Sequence, residues 1–266
     1  MQAPLDYAQD GAIVTLTLNA PDIRNAISGA DVIDALVQAC ERMNADMSVG
    51  AAILTGAGSA FSSGSNVKKM GDGGGLGGGL PAQTRRNYKL GIQRIPLAFE
   101  RLEVPVIAAV NGPAIGAGCD LACMCDMRIA AESARFSTGY VRVGLVPGDG
   151  DTFFLPRLVG PAKALELLWT ADFIEAPQAH AMGIVQRVVP DARLQEETYA
   201  LARHIADGPQ VPIRMIKRLV YQSLKLDLRT HLDLVSSHMA IVRQTADHAE
   251  GVAAFKEKRP AKFRGV

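Results

Sequence analysis

The chain has 266 residues, is 48% hydrophobic and carries a formal net charge of +1. That length admits one large domain, or a domain with an appendage, around a sizeable core. The near-neutral charge excludes a strongly basic nucleic-acid or anionic-membrane surface, and no apolar run approaches the roughly 20 residues that span a bilayer.

Residues 1–10 lack the basic-then-apolar order of a secretory signal, so a cytoplasmic protein is expected. Of the four cysteines, Cys119, Cys123 and Cys125 fall close together. Their spacing is not that of a zinc site and no histidine lies near. They and Cys40 are expected as buried structural thiols, with no metal.

Ile13-Val14-Thr15-Leu16-Thr17-Leu18-Asn19 alternates and is β-branched, which predicts a strand. Ala20-Pro21-Asp22 turns the chain. Ser28 with Asp31 has the form of a capping box, and Val32, Ile33, Leu36, Val37, Cys40 and Met43 then keep helical spacing. Ala51-Ala52-Ile53-Leu54-Thr55 predicts a second strand. Phe61-Ser62-Ser63-Gly64-Ser65-Asn66 is a turn of small residues. Seven of the nine residues 71–79 are glycine, which predicts a mobile linker or lid. The lysine-serine or lysine-threonine end of a phosphate-binding loop is missing there.

One helix is expected over 83–102, carrying Leu90, Ile95, Phe99 and Leu102. Val106-Ile107-Ala108-Ala109-Val110 predicts a buried strand. Gly116-Ala117-Gly118 then leads into a helix-compatible run. Small residues allow close approach to the main chain, and the first amides of a helix point outward without partners. This turn either binds developing negative charge or simply lets strand and helix pack tightly. Asp120 lies in its first helical turn.

Short strands are expected over 127–131 and 134–137. Helices are expected over 151–159, 162–170 and 177–182, and a last strand over 184–189. Beyond Pro190 the patterns are helical only, at 193–205, 212–224, 232–244 and 249–257. Alternation followed by helices predicts an α/β core over 1–190 and a helical region over 191–266 that caps its own core or a neighbouring subunit.

Several motifs occur together in order: Arg24-Asn25-Ala26; the turn 61–70; Pro105 to Gly112 with Gly116 to Ala122; Cys125-Asp126-Met127-Arg128-Ile129-Ala130; Val143-Gly144-Leu145-Val146-Pro147-Gly148; and Phe255 to Phe263. Together these resemble the enoyl-CoA hydratase/isomerase (crotonase) superfamily across nearly the whole chain. The resemblance implies a spiral of ββα units, and a C-terminal helical region that assembles trimers or pairs of trimers (hexamers). It also implies an acyl-CoA thioester substrate with no separate cofactor, since coenzyme A arrives with the substrate. The backbone amides matching the family's oxyanion hole are those of Ser65 and Ala117. Arg24, Ala26, Ser63, Ser65 and Lys258 match the CoA-binding positions.

Hydratases of that family use two glutamates for acid–base work. Asp120 matches the first, one methylene shorter, and Tyr140 stands in place of the second. Phenol titrates near 10 and is a poor base at neutral pH. Asp149 is open to two readings, a carboxylate like that of the family's isomerases or an Asx turn. Asp151 is read as the cap of the helix beginning at Thr152. The sequence leans to an enoyl-CoA hydratase with Asp120 as principal acid/base and Asp149 as second group. Alternatives are a one-carboxylate enoyl-CoA isomerase and an inactive CoA-ester binding protein.

Overall fold

In the computed structural model, which describes residues 3–66 and 75–265, the chain opens with an antiparallel hairpin. Strands β1 (Leu5–Asp10) and β2 (Ile13–Leu18) turn at Gly11. Helix α1 (Ala30–Ala45) buries Val32, Ile33, Leu36, Cys40 and Met43, the stripe its spacing predicts. The chain then returns as β3 (Ala51–Gly56), parallel to β2. Helices α2 (Pro81–Leu90) and α3 (Arg94–Arg101) lead to β4 (Val106–Val110), parallel to β3. Next come β5 (Ala114–Ile115), α4 (Ala117–Met124), β6 (Met127–Ala131) and β7 (Arg135–Ser137). They are followed by α5 (Asp151–Val159), α6 (Pro161–Thr170), β8 (Ile174–Glu175), α7 (Ala176–Ala181) and β9 (Arg187–Val189). Helices α8 (Leu194–Ala206), α9 (Gln210–Ser223), α10 (Leu228–Val242) and α11 (Ala246–Glu257) complete the described chain.

The large sheet runs β1-β2-β3-β4-β6-β9, and the small one β5-β7-β8. The chain deals strands to them alternately. β4 goes to the large sheet, β5 to the small one and α4 follows; β6, β7 and α5 repeat the pattern. The bridge between Ser62 and Ala114 adds the β3 turn to the small-sheet side. This is the expected spiral of ββα units. Every residue of β4 is buried, as a central parallel strand covered on both faces requires.

Two local expectations are corrected, and a third falls largely outside the described residues. The helix over 83–102 is two helices, because Pro96 lacks an N–H and its ring opposes the carbonyl four residues earlier; the chain breaks at Gly91 and restarts so that Pro96 lies in the first turn of α3. The capping box at Ser28 does not form, since Gly29 is the N-cap of α1 and no side chain bonds there. Residues 71–74 of the glycine-rich segment lie outside the described residues, and Gly75–Gly77 form a 3-10 turn.

Helix α8 packs across β3, β4 and β6, so the first helix beyond residue 190 covers the large sheet. Asp126 ties α9 to the core: it accepts from Val106 N at 2.7 Å, Lys217 Nζ at 2.7 Å and the Tyr221 hydroxyl at 2.9 Å. Among the described residues no helix is long and apolar enough to cross a membrane.

Candidate active site

Two loops meet at the start of α4. Gly116, at φ 53° and ψ −126°, ends β5 in a conformation that favours glycine and sets Ala117 as the first helical residue. The facing loop is laced to it: Ser62 N donates to Pro113 O at 3.1 Å and Ile115 N donates to Ser62 O at 2.9 Å. Gly64 follows at φ 75°, and a Cβ there would stand 2.4 Å from Ile115 O. Ser65 therefore arrives beside Ala117, and both line one cavity. Among the described residues, neither the Ser65 nor the Ala117 backbone N–H has a hydrogen-bond partner. For Ala117 this is the geometry of a helix start.

Asn25 carries the loop that precedes this pair. It is buried, and its amide donates to Ala57 O, Ala60 O and Phe61 O, while its oxygen accepts from Ala20 N. Arg24 and Asn25 take left-handed backbone, which the Asn25 bonds hold in place. Ser63 N donates to Arg24 O at 2.8 Å, and Ile27 N to Gly64 O at 2.7 Å. Arg24, Ala26, Ser63 and Ser65 thus come from adjoining loops, with Arg24 exposed and Ala26 buried. Lys258 is the exposed left-handed end of α11, and among the described residues no hydrogen bond or ion pair ties it to those loops.

Behind the amide pair lies a cluster of carboxyls bridged by a phenol. The Tyr140 hydroxyl lies 2.8 Å from Asp120 Oδ2 and 2.5 Å from Asp149 Oδ1. It has one proton and two acceptors, so both contacts are hydrogen bonds only when one carboxyl is protonated and donates to the phenol oxygen. Burial supplies that proton. Relative exposures are 0% for Asp120, 3% for Asp149 and 0% for Asp151. Desolvation pushes Asp120 well above the usual carboxylate range, helped by the charges of Asp151 and Asp149. Desolvation also raises Asp149, against the downward pull of hydrogen bonds from Asp120 and Tyr140. Tyr140 is driven well above 10 by burial and then by the neighbouring carboxylates, so it stays a neutral phenol.

Tyr140 and Asp149 line the cavity, together with Tyr88, Leu76 and Ile92, which carry no motif in the sequence. Asp120 is fully buried, touches Tyr140 and is not part of the lining. The loop bearing Asp149 is held from α2 and α3. The Tyr88 ring packs so closely on Gly148 that a Cβ there would stand 2.4 Å from its Cε1, and Gln93 Nε2 donates to Gly148 O at 2.8 Å.

Asp151 is a correction. The N-cap of α5 is Gly150, at φ 130°, and no side chain caps that helix. Asp151 is instead the first helical residue, turned inward against α4, and desolvation pushes its carboxyl up to about 7. Its Oδ atom lies within 4.8 Å of the Cys119 and Cys123 sulfurs. Contact with Cys123, then burial, pushes the Cys119 thiol well above its usual range. Cys119 therefore rests as a protonated thiol. All four cysteines are free and buried.

Comparisons with known proteins agree with this architecture. The family model described as enoyl-CoA hydratase/isomerase matches residues 8–266. The chain is 36% identical over 252 residues to the crotonyl-CoA hydratase of Syntrophomonas wolfei, covering 94% of each. It is 35% identical over 267 residues to the 1,2-epoxyphenylacetyl-CoA isomerase of Escherichia coli, covering 100% of this chain and 99% of that one. The crystal structure of an enoyl-CoA hydratase from Bacillus anthracis superposes with a TM-score of 0.91 at 32% identity, covering 99% of this chain and 100% of that one.

Proposed function

The chain belongs to the enoyl-CoA hydratase/isomerase family, and from that premise we propose that it is an enoyl-CoA isomerase working through a single carboxylate, Asp149. The observation that carries this reading is that Asp149 is the one carboxyl among the described residues lining the cavity, while Asp120 is sealed behind Tyr140. A 1,3-proton shift needs one base that becomes the acid. Asp149 takes the proton from C2 of a 3-enoyl-CoA, and the electron pair moves into a dienolate. The same proton returns at C4 as the C3=C4 bond is replaced by C2=C3. Ser65 and Ala117 amides stabilise the thioester oxygen of the dienolate, where loss of one such donor typically costs about 2.7–4 kcal/mol. Neutral Tyr140 donates to ionised Asp149, and Asp120 orients Tyr140. A raised carboxyl pKa suits the role of base.

Arg24 holds CoA phosphate in this reading, with Ala26, Ser63 and Ser65 shaping the backbone around it and Lys258 contributing from the tail. No cofactor enters, because the thioester itself delocalises the charge. Assembly as trimers or hexamers through residues 191–266 belongs to the same proposal. Ile216, Val220, Leu224, Leu228, Leu232 and Phe255 expose apolar surface on α9–α11, which a neighbouring subunit would bury.

Hydration of a 2-enoyl-CoA is the second reading, favoured by the presence of two acids around one phenol. One experiment separates them: follow thioester conjugation by absorbance with a short 3-enoyl-CoA and a short 2-enoyl-CoA. Conjugation gained from the first supports isomerisation, and conjugation lost from the second supports hydration. Binding of both with neither change supports a CoA-ester binding protein. Full isomerase activity in Asp149→Asn would remove the proposed base.

A further inference from the structure

Asp151 has no place in the chemistry above, yet it is fully buried beside it. Neither of its oxygens receives a hydrogen bond from a donor. Among the described residues, the titratable groups that act on it are Asp120, Cys119 and Cys123 from α4 and Asp149 from its own loop, and none of these is a cation. Helix α5 packs on α4 and sets Asp151 beside the sulfur of Cys119, the residue before Asp120. A negative charge on Asp151 raises the Asp120 carboxyl, so the pair is favourable only when one of the two carries a proton.

We infer that Asp151 is a positioning residue that, through Asp120, decides which carboxyl of the Asp120–Tyr140–Asp149 cluster holds the shared proton. This rests on the proton-transfer reading of the site. The chain of contacts has two polarities. In one, protonated Asp120 donates to the Tyr140 oxygen and Tyr140 donates to Asp149, which meets the cavity ionised and ready to act as a base. In the other, Tyr140 donates to ionised Asp120, and protonated Asp149 donates to the phenol. An ionised Asp151 beside Asp120 disfavours a second negative charge there and selects the first polarity. Burial brings Asp151 to about 7, so this selection strengthens as pH rises through neutrality.

The test uses the full-length protein and two readouts. Asp151→Asn keeps the volume and removes the charge. Asp120 then ionises more easily, the shared proton moves towards Asp149, and the pH at which the base becomes active rises. The expected result on a 3-enoyl-CoA is a basic shift of the kcat profile by about one pH unit. Below that limb kcat falls about tenfold while KM stays within about twofold. Loss of packing alone would not move the pH limb.

The second readout needs neither substrate nor variant activity. An infrared pH titration of the ligand-free wild-type protein should show a buried carboxyl losing its protonated band between about pH 6 and 8. Asp151→Asn should lack that transition. An unshifted profile in an active Asp151→Asn overturns the inference, as does a wild-type protein in which no carboxyl titrates in that window. If no enoyl-CoA is turned over, the functional reading fails, and the infrared titration still decides the role of Asp151.

Discussion

Gly64 stands against Ala117 so closely that a Cβ at position 64 would come within 2.8 Å of the Ala117 nitrogen. That nitrogen is one of the two unpartnered amides, and Gly64 adjoins the residue that carries the other. The close approach aligns the pair, and it leaves no room for any side chain. Gly64→Ala should therefore shift one amide off the thioester oxygen. The expected outcome is a fall in kcat of about 10²–10³-fold, the scale of one lost oxyanion donor. Steady-state kinetics with a saturating enoyl-CoA checks it, with circular dichroism to confirm the fold.

Tyr140→Phe keeps the ring and removes the bridge between Asp120 and Asp149. The Tyr140 hydrogen bond is one of the influences that lower Asp149, so its loss moves Asp149 upward. The acidic limb of the kcat profile, where Asp149 takes up its proton, should therefore move up by about one pH unit, equivalent to about 1.4 kcal/mol of lost preference for the carboxylate. A profile that stays in place would show that the hydroxyl does not touch the catalytic base in solution.

Stability should depend on pH in the direction opposite to most carboxylate-rich proteins. Asp151 is raised in the folded state from an ordinary value near 3.8 to about 7. Between those values the folded protein holds a proton that the unfolded chain has released, so stability falls as pH rises through this window. For Asp151 the full difference is roughly 4 kcal/mol, present below pH 4 and gone above the folded value. Chemical denaturation between about pH 5 and 8 measures it, and Asp151→Asn should flatten the dependence.

Arg24 is exposed on a loop whose shape Asn25 maintains. Arg24→Ala should raise KM for a CoA thioester several-fold with kcat nearly unchanged, the signature of lost uniform binding. The corresponding pantetheine thioester, which lacks the nucleotide phosphates, should show no such difference. Equal effects on both thioesters would place Arg24 away from the phosphates.

The same chain shows why some of this was legible in its residues and some was not. Strands β2, β3 and β4 are long enough for alternation or a continuous apolar run to mark them. β5 and β8 have two residues each, too few for any period, and exist because the spiral brings edges together. The break between α2 and α3 was signalled by Gly91 and Pro96, against an apolar spacing that continued across it. Asp151 was misread because capping is a local rule, and nothing local says that Gly150 turns the next side chain into the interior.

By itself the sequence determined the family and, through the resemblance its motifs carry, the expected ββα spiral. Those motifs are short local runs of residue types in a fixed order, and a single chain displays them without any packing. Only the tertiary structure decided that Tyr140 bridges Asp120 and Asp149, that Asp149 faces the cavity while Asp120 does not, and that Asp151 joins them. Those relations depend on packing α4 against α5, and on the loss of water that makes buried carboxyls share protons. Neither is encoded in any single stretch of the chain.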